Sequence, residues 1–188
     1  MFNPIRITAV DRHIRQFFEG HSITEQQWTL GPHASEMTDF QVLRVAPGKR
    51  THCWTYLSKG ASVIEHEDGG LVEFLITAPA AHDRHVELLT MVAWYHKSTR
   101  LGLGHTVPIG GPWLEKSLCD YLLVSLPYSF GHQLEICNID DGHIHFHWLL
   151  PITKAEREFK ITQGIEALEQ QFEKSELEYW NPFRQSVV

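Results

Sequence analysis

The sequence is poor in cysteine and has no long apolar run. Its three cysteines, Cys53, Cys119 and Cys137, are an odd number without CxxC spacing, which excludes a disulfide framework and a zinc knuckle. We expect them to be reduced, mostly buried thiols. No stretch approaches the roughly 20 apolar residues of a membrane span, and the first residues lack the pattern of a secretory signal. The sequence therefore predicts a cytoplasmic protein without a membrane partner.

Basic residues are also too few for a nucleic-acid-binding surface. The chain has 16 Lys and Arg against 23 Asp and Glu, and its formal net charge is -7 at pH 7. Phosphate backbones are bound by clustered Lys and Arg, so we expect no nucleic acid partner. An acidic chain is better suited to a basic protein partner.

The overall composition is that of one globular domain. The 188 residues are 43% hydrophobic and 21% charged, within the range served by one hydrophobic core. No internal repeat or low-complexity linker divides the chain. We predict a single domain over residues 1–188.

Helical periodicity occurs at both ends and in the middle of the chain. A first helix is predicted to begin at Thr8 as N-cap and to end at Gly20, and a buried central helix is predicted over residues 82–100. A capping box at Thr153 and Glu156 predicts the start of the last helix. The predicted core face of that helix is Ile161, Ile165, Leu168 and Phe172.

Strand patterns fill the remaining segments. Short runs rich in Val, Ile, Thr and aromatic residues are bounded by glycine and proline turns. The predicted strands are 27–30, 40–45, 52–57, 71–77, 121–126, 134–138 and 143–150. The expected fold class is α+β, with one mixed, mostly antiparallel sheet covered by helices. The pattern does not determine the strand order.

A histidine-rich strand raises the possibility of a metal site. His143, His145 and His147 alternate along one strand and so share a face, and three imidazoles can hold a catalytic zinc ion. Residues i and i+4 on a strand stand about 13 Å apart, so such a site needs ligands from another element. The alternative is a half-exposed strand whose polar face is rich in histidine.

Two other features suggest contact with a partner protein. Glu65, Glu67 and Asp68 form a small acidic turn that could meet a basic partner or simply be solvated. Three aromatics, Tyr179, Trp180 and Phe183, follow the last helix, where termini are usually polar. They either dock back onto the core or leave an apolar patch for a partner or a second copy of the chain; these two features supply the candidate contact residues.

Enzymatic and nucleotide-binding motifs are weak. Residues 102–104 (GLG) follow a helix and lack the third glycine of a dinucleotide fingerprint. No nucleophile elbow or cysteine-protease context surrounds Cys53, Cys119 or Ser125. We expect no cofactor and no catalytic residues.

Five short segments occur in a definite order and spacing. They are residues 54–61 (WTYLSKGA), 72–79 (VEFLITAP), 104–108 (GHTVP), 121–128 (YLLVSLPY) and 148–153 (WLLPIT). Each is unspecific alone, but together they resemble the suppressor-of-fused family, in particular its compact bacterial members. The resemblance covers most of the chain.

This resemblance implies a non-enzymatic protein-binding domain. Animal members of the family add a second domain and clamp a peptide between the two, and we expect this chain to lack that arrangement. For compact bacterial members, the family suggests an immunity protein that binds and neutralises a polymorphic toxin. The alternative is a metal-dependent (zinc) hydrolase or metal-binding protein using His143, His145 and His147. The oligomeric state is left open.

Overall fold

The computed structural model describes residues 4–64 and 70–188. Six α-helices and eight β-strands lie among these residues, and a short 3-10 turn covers Ala61–Val63. In chain order they are α1 (Pro4–Phe17), β1 (Ile23–Gln26), α2 (Gly31–Glu36), β2 (Gln41–Val45), β3 (Trp54–Lys59), β4 (Leu71–Ala78), α3 (Arg84–Ser98), β5 (Thr106–Pro108), β6 (Cys119–Ser125), α4 (His132–Glu135), β7 (Ile136–Ile139), β8 (Gly142–Thr153), α5 (Lys154–Gln163) and α6 (Ile165–Lys174).

The strands form a mixed sheet whose pairing is mostly antiparallel. The hydrogen-bonded order is β1-β2-β3-β4-β8-β6-β5, and β7 also pairs with β8. Strands β1 to β4 are antiparallel neighbours, whereas β4 and β8 run parallel. The predicted α+β class with a mixed sheet is confirmed.

The described chain separates into two compact units. One contains the residues up to Leu101 together with Leu126–Trp148, and the other contains Gly102–Ser125 together with Leu149–Val188. None of the helices in the described part of the chain has the length and apolarity needed to span a bilayer.

In the first unit, helices cover both faces of the sheet. The ring of Tyr56 on β3 lies 4.7 Å from that of His85 on α3. On the opposite face, Lys59 of β3 pairs with Asp11 of α1 at 3.5 Å. Alternate residues of a strand point to opposite faces, which explains how one short strand contacts both helices. Helix α3 is deeply buried, as predicted, with Val86, Leu89, Ala93 and His96 inside the core.

The second unit is built from β5, β6, the end of β8, α5 and α6. Trp113 is 1% exposed, and Leu168 and Phe172 of α6 are buried. The guanidinium of Arg157 on α5 lies 4.9 Å from the ring of Tyr121 on β6, a cation–π contact. The unit therefore has an apolar core of its own.

Two predicted strands are placed wrongly. Residues 27–30 are not a strand: β1 ends at Gln26, and α2 begins at Gly31 with Pro32 in its first turn. The run at 134–138 is divided, because α4 continues to Glu135 before β7 begins. Aromatic and β-branched content indicates a strand only where neighbouring strands pair with it.

Two helix predictions also need correction. The first helix begins at Pro4, and Thr8 lies inside it with its hydroxyl donating to the Pro4 carbonyl at 2.8 Å. The last predicted helix is two helices, broken at Gly164, whose φ of 93° lies in the left-handed region that favours glycine. The break changes the helical phase, and Ile161 is 58% exposed rather than buried.

Candidate protein-binding site

The candidate site begins with a capping box at the start of α5. The Thr153 hydroxyl accepts a hydrogen bond from the Glu156 amide at 3.2 Å, and Glu156 Oε2 accepts one from the Thr153 amide at 2.8 Å. This satisfies two of the donors that a helix start leaves open, as the sequence predicts. Unlike most capping residues, Glu156 is fully buried, so its carboxylate needs further partners.

Arg184 supplies those partners from the C-terminal tail. Its Nη1 donates to Glu156 Oε1 at 2.6 Å, and its Nη2 donates to Glu156 Oε2 at 2.8 Å. Nη2 also donates to the Pro151 carbonyl at 2.9 Å. The Arg184 side chain is 5% exposed; burial lowers its pKa, but the hydrogen bonds to Glu156 raise the pKa overall. This buried, bidentate pair fastens the tail to α5.

A series of turns fixes the chain between α6 and Arg184. The Leu177 amide donates to the Phe172 carbonyl at 3.0 Å, and the Asn181 amide donates to the Glu178 carbonyl at 2.9 Å. The Asn181 side chain accepts from the Phe183 amide at 2.9 Å. The tail is therefore an ordered segment with its own hydrogen bonds.

The ordered tail holds two aromatic rings in solvent. Phe183 is 62% exposed and Trp180 is 40% exposed, whereas Tyr179 is half-buried. Pro182 and Arg184, on either side of Phe183, are buried. The expectation that the three aromatics dock back onto the core is therefore wrong for Trp180 and Phe183, whose rings lie on the surface, while Tyr179 is half-buried.

The family model for suppressor of fused protein (SUFU) matches residues 37–185. The chain belongs to the suppressor of fused family. This confirms the resemblance seen in the sequence. No curated protein sequence matches the chain significantly.

Solved structures of the suppressor of fused family share this fold. A homologue from Neisseria gonorrhoeae FA 1090 is 36% identical, with a TM-score of 0.84 and 97% of each chain covered. The Sufu–Fu complex matches with a TM-score of 0.73 at 15% identity, over 99% of this chain and 93% of that one. Drosophila Suppressor of Fused matches with a TM-score of 0.65 at 13% identity, over all of this chain and 54% of its own.

The other candidate contact residues of this suppressor of fused chain are in the acidic turn. Glu65, Glu67 and Asp68 lie outside the described residues. They remain a prediction from the sequence.

The histidine-rich strand of the domain belongs to no metal-binding cluster among the described residues. His143 is exposed, His145 is half-buried and His147 is buried, and the rings of His145 and His147 are 6.4 Å apart. Among residues 4–64 and 70–188, no three His, Cys, Asp or Glu side chains are arranged to hold a metal ion. Burial, with a smaller contribution from His145, lowers the pKa of His147 to about 4. The geometry gives the zinc alternative no support.

The cysteines of the domain are buried, as predicted. Burial raises the pKa of Cys53 and Cys119, and it raises the pKa of Cys137 to about 11. A thiol is nucleophilic only when deprotonated. These side chains therefore act as apolar packing groups at neutral pH.

The sequence predicts only part of the surroundings of two buried carboxylates, Glu156 and Glu73. The capping box signals Glu156, but nothing local signals Arg184, 28 residues further along. Glu73 of β4 is fully buried and accepts hydrogen bonds from residues around the 3-10 turn. Its donors are the hydroxyls of Ser58 and Ser62 and the amides of Gly60, Ala61 and Ser62.

Proposed function

We propose that this chain is a non-enzymatic protein-binding domain that binds and neutralises a partner protein, such as a bacterial polymorphic toxin. The observation that carries the proposal is the ordered tail, in which buried Pro182 and Arg184 flank the exposed ring of Phe183. Apolar rings held in solvent by a rigid backbone are typical of interface anchors.

The tail has the properties of a contact surface because its backbone is already ordered before any partner binds. A flexible aromatic segment would lose conformational entropy on binding, at about 0.5–1.5 kcal/mol for each side chain that becomes ordered. Here the hydrogen bonds of Asn181 and Arg184 already fix the backbone. Trp180 and Phe183 can therefore bury apolar area at a lower entropic cost.

Family membership supports protein binding rather than catalysis. A suppressor of fused protein of the same fold is present in the Sufu–Fu complex. In this chain the buried thiols are protonated at neutral pH, since burial raises the pKa of each. The neutralising role is the family-based part of the proposal, and the acidic chain, with net charge -7, suits it by favouring a basic partner.

Co-expression with the product of each neighbouring gene tests this function. The expected result is growth rescue from one toxic neighbour and co-purification of a one-to-one complex. A chain with Phe183→Ala, which removes a ring that is 62% exposed, is the matched variant and should weaken both effects while unfolding at nearly the same temperature. If no neighbour is toxic and none is bound, the neutralising role is wrong.

A further inference from the structure

We propose that two copies of this chain exchange their tails, residues 177–188, so that Arg184 of each copy pairs with Glu156 of the other. Each Glu156 site then binds the tail of a second copy through the contacts that a single chain already makes. The exchange needs no further partner, so it is separate from the proposed function.

The buried carboxylate of Glu156 belongs to a binding site for a guanidinium group. Arg184 Nη1 lies 2.6 Å from Glu156 Oε1, and its Nη2 lies 2.8 Å from Oε2. The Pro151 carbonyl oxygen is 2.9 Å from the same Nη2. Three acceptors thus meet one planar group, an arrangement that suits Arg and not the compact ammonium of Lys. The site is specific for the kind of residue that now fills it.

Residues that follow Arg184 complete the same site. The Val187 amide donates to Glu156 Oε1 at 3.2 Å. The Thr153 hydroxyl donates to the Ser186 hydroxyl, also at 3.2 Å. Recognition therefore extends along the tail and includes its backbone. A second copy of the chain supplies this whole set of groups in the same order.

The tail leaves α6 through a Schellman turn that contains an unfavourable residue. The Glu176 amide donates to the Glu173 carbonyl at 3.1 Å, and the Leu177 amide donates to the Phe172 carbonyl at 3.0 Å. These are the two hydrogen bonds of that helix end, which needs one residue in the left-handed region, usually glycine. Glu176 fills this position with a φ of 49°. The turn between α6 and the tail is therefore strained.

Opening of this turn relieves the strain. An extended chain at residues 175–177 lets Glu176 adopt a negative φ, and because residues 173–176 are exposed, little apolar surface is uncovered. The extended segment carries the tail away from its own Glu156 and towards a second copy, where the contacts of the site re-form. Short connections under strain favour such an exchange of elements. The exchanged dimer thus keeps the site and loses the strained conformation.

The connection to α6 sets the protein concentration at which exchange occurs. Within one copy, a short connection holds the tail near its own site at an effective concentration of about 1 mM. We expect the parent chain to be monomeric when dilute and to form a dimer as its concentration approaches about 1 mM, as measured by analytical ultracentrifugation. A parent chain that remains monomeric throughout this range contradicts the exchange.

Substitutions at Glu176 distinguish tail exchange from an ordinary dimer. Glu176→Val disfavours the left-handed region further, because β-branched side chains rarely adopt it, and should raise the association constant about tenfold. Glu176→Gly removes the strain from the monomer and should lower the constant by a similar factor. Glu176→Gln removes the same charge without relaxing the backbone, so it should associate like the parent. A dimer of equal strength in all three variants uses another surface and overturns the proposal.

A mixture of two full-chain variants tests which residues are exchanged. Arg184→Met leaves Glu156 without its counter-charge, and Glu156→Gln leaves Arg184 without a carboxylate. In an exchanged pair, one site regains the native ion pair and the other holds only neutral side chains, so neither contains a lone buried charge. After refolding together from urea, the variants should form a heterodimer in native mass spectrometry that unfolds at a higher temperature than either variant alone. If the mixture gives no heterodimer and unfolds as the separate variants do, the tails are not exchanged.

Discussion

Glu73 in the first unit and Glu156 in the second are both fully buried, but their carboxylates have different partners. Among residues 4–64 and 70–188, the donors to Glu73 are neutral hydroxyls and backbone amides 11 to 15 residues earlier in the chain. Glu156 is paired with a guanidinium 28 residues later. The first carboxylate organises a local turn, whereas the second fixes the path of a distant tail.

The comparison shows that one buried carboxylate stabilises a local turn, whereas the other fixes a tail that carries exposed side chains. Neutral donors around Glu73 hold the 3-10 turn of residues 61–63 against β4. The ion pair at Glu156 also organises local structure through Thr153, and it fixes Arg184, the residue that follows the exposed Phe183. Only the second carboxylate is therefore connected to the proposed partner surface.

Removal of the Glu73 carboxylate should have the largest effect on stability. Glu73→Ala leaves the amides of Gly60, Ala61 and Ser62 without their acceptor, at about 1–3 kcal/mol for each buried group. We expect the free energy of unfolding to fall by about 5 kcal/mol or more, as measured by urea denaturation. Glu73→Gln keeps one acceptor oxygen and should lose less. A loss below about 1 kcal/mol for Glu73→Ala would show that the turn does not depend on this carboxylate.

Removal of the Arg184 charge from the buried pair with Glu156 should have the second-largest effect on stability. Arg184→Met leaves a buried carboxylate without a counter-charge, so we expect a loss of about 4 kcal/mol. The double variant E156Q/R184M removes both charges and should recover a substantial part of that loss in the same urea experiment. Additive effects of the two changes would mean that the pair is not coupled.

Acidification should destabilise the first unit through its buried histidines. Burial lowers the pKa of His85 and of His147 to about 4 from the ordinary value of 6.5. The unfolded chain binds these protons more readily, so stability is full above pH 6.5 and falls as the pH decreases towards 4. Each ring should contribute a loss of about 3 kcal/mol over that range.

His147→Phe isolates one of these contributions. Nδ1 of His147 has no hydrogen-bond partner among the described residues, so an apolar ring should be tolerated at pH 7. Urea denaturation at a series of pH values should then show a decline about 3 kcal/mol smaller than in the parent protein. His143→Gln, at an exposed position of the same strand, should leave the decline unchanged. An unaltered decline in His147→Phe would mean that this ring titrates normally.

The features that the sequence predicts well are local ones. Thr153 and Glu156 are three residues apart and form the expected capping box, and the stripe of Val86, Leu89 and Ala93 is buried in α3. The N-cap pattern at Thr8 predicts too late a start for α1, because the helix begins at Pro4, a residue that favours the first helical turn.

The features that the sequence does not predict depend on distant contacts. Continuous periodicity through Ile161 and Ile165 favours one helix, but Gly164 breaks it and Ile161 is exposed. The partners of Glu73 and the pairing of Arg184 with Glu156 bring together groups far apart in the chain. A spacing pattern holds no information on such pairs, and one of them fixes the tail at the residue next to Phe183.

The smallest effect on stability should accompany the largest effect on binding. Phe183→Ala removes a ring that is 62% exposed, so the free energy of unfolding should change by less than about 0.5 kcal/mol. Affinity for a co-purified partner should nevertheless fall at least tenfold, or about 1.4 kcal/mol, because an interface anchor is lost. Arg184→Met should lose both stability and affinity, since the tail is no longer held. If Phe183→Ala binds like the parent protein while Arg184→Met does not, the buried pair orders some other contact surface, and the ring of Phe183 does not contribute to binding.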